Sequence, residues 1–155
     1  MRRLVMMSAA MLGVTLSAAI AGADEKSIPI SEVPKAVLDA FKTKFPQATI
    51  KNAIKEDNAG KISYEIESTI ASGLSIDAVL KPTGEFVAIE KELELTDLPA
   101  PVSAGVKAKY PTAKPTKAEE VTSDGKVTFE VTVTKDNGKT AVLAFDKDGN
   151  FIEEE

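Results

Sequence analysis

The chain has 155 residues, 43% hydrophobic and 28% charged, with a formal net charge of −5; this is the composition of one or two small folded domains, not of a disordered tail. It contains no Cys, His or Trp. Disulfides, thiolate or imidazole ligation of zinc, copper or haem iron, and Ser-His-Asp or Cys-His catalysis are therefore excluded.

The first segment reads as a targeting sequence. Met1-Arg2-Arg3 is a short basic start, Leu4 to Ile20 is apolar and uncharged, and Ala21-Gly22-Ala23 precedes the abruptly polar Asp24-Glu25-Lys26. That layout predicts a cleavable signal peptide over residues 1–23 and a periplasmic or secreted mature chain beginning at Asp24. The apolar run sits at the lower limit for a bilayer span. Without Arg2 and Arg3 the net charge falls from −5 to −7. An acidic chain repels nucleic acid and anionic membrane, so neither is expected as a partner.

The mature chain repeats itself at a constant offset without a gap, Pro34 lying over Pro99, Gly84 over Gly149 and Phe86 over Phe151. Comparing residues 34–90 with 99–155 gives 15 identities in 57 positions, where average composition would give about four by chance. Pro, Gly and an aromatic residue, the types that fix backbone and core, are prominent among the identities. Two units are expected, residues 24–95 and 96–155, each a helix followed by four antiparallel strands. The fold class is α+β, with the helices on one sheet face and the other face open.

Within unit one, Ser31 is the expected N-cap, with Pro34 in the first turn; Thr96 and Pro99 repeat the arrangement. Val33, Val37, Phe41 and Phe45 form a stripe of period four, matched by Leu98, Val102, Val106 and Tyr110. Pro46 and Pro111 end the helices. Weaker strands are expected around Thr49–Lys55 and Lys114–Val121. Ile62, Tyr64 and Ile66, then Val127, Phe129, Val131 and Val133, alternate with polar residues, as half-buried antiparallel strands do. Gly73, Gly84, Gly125, Gly138 and Gly149 mark hairpin turns. Phe86 to Leu95 alternates as a strand and runs almost directly into the second helix. No flexible linker separates the units.

The helix from Val33-Pro34 to Phe45-Pro46-Gln47-Ala48 and the segment Phe145-Asp146-Lys147-Asp148-Gly149-Asn150-Phe151 resemble the PepSY-like family, whose members are described as beta-lactamase-inhibitor-like. The resemblance covers nearly all of residues 30–155, twice over. It implies an exported, non-enzymatic module that modulates or inhibits another envelope or secreted protein of the peptidase or beta-lactamase class. The alternative is a periplasmic binder of a small ligand or divalent cation.

Chemical motifs are sparse. Ser123-Asp124-Gly125-Lys126 matches the S-x-x-K nucleophile pattern but precedes a strand, where a turn is expected. Gly138-Lys139-Thr140 lacks the upstream Gly of a phosphate-binding loop, Val133 standing there instead. Asp146, Asp148 and Asn150 are spaced like the start of a calcium loop, but the closing Glu is missing, which favours a hairpin turn. Glu153-Glu154-Glu155 reads as a solvated tail. No catalytic, cofactor or metal residue is assigned, and no cofactor is expected. Phe41, Phe45, Tyr64, Phe86, Tyr110, Phe129 and Phe151 sit at repeat-equivalent positions and read as core. The open face is expected to carry Ser63, Glu65, Glu67, Ser75 and Asp77 from unit one. Thr128, Glu130, Thr132, Thr134 and Thr140 come from unit two. That acidic surface suits a protein partner with a basic surface.

Overall fold

The structure is a computed structural model and describes residues 24–155; the signal peptide expected over residues 1–23 lies outside them. Nine strands run in chain order: β1 (Asp24–Ser27), β2 (Thr49–Asn58), β3 (Lys61–Thr69), β4 (Ser75–Leu80), β5 (Phe86–Leu93), β6 (Lys114–Ser123), β7 (Lys126–Thr134), β8 (Thr140–Asp146) and β9 (Phe151–Glu154). Helix α1 (Lys35–Lys44) precedes β2, and α2 (Ala100–Lys109) precedes β6. All nine strands join one antiparallel sheet whose spatial order is the chain order. Among the described residues no helix is long and apolar enough to cross a membrane.

The repeat explains the missing linker. At the repeat offset β1 aligns with Ile89–Glu92, the second half of β5, and β9 aligns with Phe86–Ile89, its first half. The central strand therefore closes unit one and opens unit two at once. The strands do not divide into two separate sheets: β5 pairs with β4 on one side and with β6 on the other.

Both helices pack on the same sheet face. Val33, Val37 and Phe41 meet Ala53, Ile66, Ala78, Leu80 and Ile89. Leu98, Val102 and Val106 meet Ala118, Phe129, Val131, Val133, Leu143 and Phe145. The period-four stripes thus face the core as expected. The helix starts do not match the expectation. Ser31 and Thr96 lie in single 3-10 turns, Ile30–Glu32 and Leu95–Asp97, and the α-helices begin only after Pro34 and Pro99, which have no side-chain cap. The cause is steric: a residue before proline is pushed out of the helical region. Val33 and Leu98 are indeed extended, with ψ of 132° and 130°.

Two other expectations change. Phe151 is 41% exposed, not core; its ring lies edge-on to Phe145 at 5.9 Å and under the Lys109 Nζ at 3.7 Å. Glu153-Glu154-Glu155 is not a free tail. Glu153 pairs with Ala144, Glu155 exchanges two 2.9 Å backbone hydrogen bonds with Val142, and Glu154 accepts from the Tyr110 hydroxyl and Lys135. The Lys135 and Tyr110 hydrogen bonds hold the Glu154 carboxyl below the usual range.

One turn carries strain. Ala59 and Gly60 form a two-residue hairpin with φ of 51° and 86°; Asp124 and Gly125 repeat it at 51° and 73°. Such turns suit Asn or Asp before Gly, whereas Ala in the left-handed region is disfavoured. Ala59→Asn should therefore stabilise the protein by about 0.5–1 kcal/mol. Thermal unfolding checks this, with Asp124→Ala moving the midpoint the opposite way.

Candidate functional site

The side chains that alternate away from the helices form the second face of the sheet. Among the described residues no helix packs on it. The register places Ser63, Glu65 and Glu67 of β3, Ser75 and Asp77 of β4, Thr128, Glu130, Thr132 and Thr134 of β7 and Thr140 of β8 on this face, as the sequence suggested. It also brings in Glu90 and Glu92 of β5 and Glu119 of β6.

These acids stand in line. Glu67, Asp77 and Glu90 are direct cross-strand partners on β3, β4 and β5. Glu92, Glu119 and Glu130 are direct partners on β5, β6 and β7. Neighbouring strands lie about 4.8 Å apart, so each row sets like charges directly opposite one another, a destabilising arrangement. The two rows meet at β5, at the junction of the units.

Between the carboxylates lies a small apolar floor. Ile54, Val79, Ala88 and Ala144 are on this face, yet only 7–8% exposed. With no helix above them, the longer side chains around them must exclude the water. Glu119 is 8% exposed and is held by the Lys117 Nζ at 2.6 Å.

Partial burial and mutual repulsion raise the carboxyls of Glu65, Asp77, Glu90 and Glu130. Burial, then Glu119, Glu130, Asp77 and Glu65, push Glu90 up to about 8. Burial, then Glu56, Glu67, Asp77 and Glu25, push Glu65 to about 7. Glu130 reaches about 7 through burial, then Glu119, Glu155 and Glu153, with Lys117 opposing. Asp77 reaches about 6 through burial, against which the Ser68 N–H donates at 3.3 Å. Protonation and ionisation of this face thus compete near neutral pH.

The other candidate positions are turns. Asp146 spends its carboxylate on its own hairpin: one oxygen accepts from the Asp148 and Asn150 N–H groups, both at 2.9 Å, and the other accepts from the Asn150 amide at 2.8 Å. Ser123 ends β6 and Lys126 begins β7 across a tight turn, while Gly138 closes the β7–β8 hairpin with its N–H on the Lys135 carbonyl. Among the described residues no three acidic side chains are placed to hold a metal ion, so the divalent-cation alternative gains no support from geometry. A shallow hollow lined by Tyr110, Thr112, Lys135 and Asp136 is tied together by its own contacts.

The chain matches the model of the family described as "Putative beta-lactamase-inhibitor-like, PepSY-like" twice, over residues 22–81 and 73–153. No curated protein matches it. Three solved structures from Bacteroides share the fold. One from Bacteroides eggerthii, described as "putative periplasmic proteins", has a TM-score of 0.66 at 18% identity, covering 79% of this chain and 88% of its own. A DUF2874 family protein from Bacteroides ovatus has a TM-score of 0.63 at 17% identity, covering 79% and 86%. A BLIP-like protein from Bacteroides fragilis has a TM-score of 0.61 at 24% identity, covering 78% and 84%. With both units matched and the helix-on-sheet architecture in place, the chain belongs to the PepSY-like family.

Proposed function

We propose that the protein is an exported, non-enzymatic binding module that modulates another envelope or secreted protein of the peptidase or beta-lactamase class. The observation that carries the reading is the uncovered sheet face with its two rows of carboxylates across the unit junction. Both units contribute to that face. A protein partner with a basic surface supplies the missing counter-charge, which speeds encounter and makes it salt-sensitive. The description of one relative as periplasmic and another as BLIP-like supports the location and the class of function. The chain beyond residue 23 has no Trp and no Arg, two of the residue types that dominate very tight interfaces, so its binding is led by charge.

The test is reversal of the face. Glu65→Lys, Glu67→Lys and Glu130→Lys together should weaken binding to a partner captured from periplasmic extract at least about tenfold and flatten its salt dependence. Unchanged affinity and salt slope in a folded variant would move the interface to the helices or the loops.

A further inference from the structure

The open face sets six carboxylates in two cross-strand rows with little counter-charge. Of Glu67, Asp77, Glu90, Glu92, Glu119 and Glu130, only Glu119 has a cation within salt-bridge distance among the described residues, and that cation is Lys117. Two others have hydrogen bonds from backbone N–H groups: Glu92 from Ser75 at 3.1 Å and Asp77 from Ser68 at 3.3 Å. Protons or a cationic partner would relieve the remaining repulsion.

The repeat shows which carboxylates persisted. Of the acidic residues between 34 and 90, only Glu65 and Glu90 recur as acids in the second unit, as Glu130 and Glu155. Both belong to the open face. In both units the first of the pair is a half-buried carboxylate among like charges, a placement that costs stability. The fold therefore gives no reason to keep it.

We propose, on the docking reading above, that the face binds lysine and arginine side chains of its partner in exchange for protons, so that docking tightens as pH rises. Around Glu65 stand Glu25 of β1, Glu56 of β2, Glu67 of its own strand and Asp77 of β4. Around Glu90 stand Glu119 of β6, Glu130 of β7, Asp77 of β4 and Glu65 of β3. Glu130 is faced by Glu119 and Lys117 of β6 and by Glu153 and Glu155 at the C-terminal edge. Lys117 bears on Glu130 and pairs with Glu119. A cationic side chain placed among the acids favours their ionised forms and expels the protons that had relieved the repulsion. The apolar floor keeps the local dielectric below that of water and strengthens each such contact. Each proton released makes the affinity rise about tenfold per pH unit within the titration window.

The experiment measures binding of a synthetic peptide of alternating lysine and alanine to the purified protein at fixed ionic strength. Affinity should be at least about tenfold tighter at about pH 8 than at about pH 5.5. Titration in weak buffer near pH 7 should record proton release on mixing. Glu65→Gln, Glu90→Gln and Glu130→Gln together should flatten the pH profile. A variant of equal net charge, Asp39→Asn, Glu85→Gln and Asp97→Asn, should keep it. Binding with a flat profile and no proton release overturns the exchange and leaves the docking reading standing. So does an equal pH slope in the open-face variant. Absence of peptide binding at every pH overturns both.

Discussion

Replacing Gly149 with alanine should destabilise the protein by about 3 kcal/mol or more, read as the loss of unfolding free energy in denaturant titration. Gly149 has φ +80°, where an L-residue is strained, and a Cβ built there would sit 2.2 Å from the Pro101 carbonyl oxygen and 2.5 Å from its carbon. That neighbour is helix backbone, which cannot rotate away as a side chain could. Gly84, the equivalent in unit one, has φ +88° and a nearest contact of 2.7 Å to the Ala36 carbonyl oxygen. Its substitution should cost less, about 2 kcal/mol. Gly73 and Gly138 share the positive φ but face open space, so alanine there should cost only the backbone strain of about 1 kcal/mol. Gly105 makes the same close approach from the helix side. It lies inside α2, where propensity alone favours alanine by about 1 kcal/mol. A Cβ there would lie 2.5 Å from the Gly149 carbonyl oxygen and 2.9 Å from the Phe145 ring. Gly105→Ala should therefore destabilise, against its propensity. Equal effects at Gly149 and Gly138 would show that the close approach of helix and turn does not govern stability.

The same contacts show why some of this molecule could be read in the sequence. Gly84 and Gly149 were visible as turns because they recur at the repeat offset, just before Phe86 and Phe151, although nothing in the string shows what they touch. The helix stripes were legible because Val37, Phe41, Val102 and Val106 all point into a core. The open face was legible on β3 and β7, where each helix covers one side and water the other, so polarity alternates. On β5 the alternation read over Phe86–Leu95 holds, with Ile89 on the helix side and Glu90 and Glu92 on the open side; where β5 pairs with β6 the pattern was obscured. There Lys91 and Glu120 lie on the helix side of the sheet and pair at 3.6 Å, while Val121 lies on the open side opposite Glu90. A charged pair on the helix side and a valine on the open side break the period-two signal that marks a half-buried strand. Three consecutive glutamates have low strand propensity, yet pairing with β8 makes Glu153 and Glu154 part of a strand.

Replacing Glu90 with glutamine should stabilise the protein in mildly alkaline solution, an unusual outcome for a half-buried polar residue. Glu90 stands between Asp77 and β6 at the meeting of the two acidic rows, and burial with like charges around it pushes its carboxyl up to about 8. The folded protein therefore favours the protonated form more than the unfolded chain does, with ordinary values of 4.5 for Glu and 3.8 for Asp. The stability this provides is fully present below those ordinary values. It is lost as pH rises through about 6 to 8, where Asp77, Glu65, Glu130 and Glu90 ionise in the folded state. The midpoint of thermal unfolding should accordingly be higher near pH 5 than near pH 8.5 by several degrees, corresponding to about 2 kcal/mol after allowing for partial solvent screening. Glu90→Gln keeps the shape and removes the ionisation, so it should gain about 1 kcal/mol near pH 8.5 and almost nothing near pH 5. Thermal melts of both proteins across that range decide the matter. A wild type that becomes more stable as pH rises through neutrality would mean that these carboxylates find counter-charges within the fold, and the face would then have no unmet charge to offer a partner.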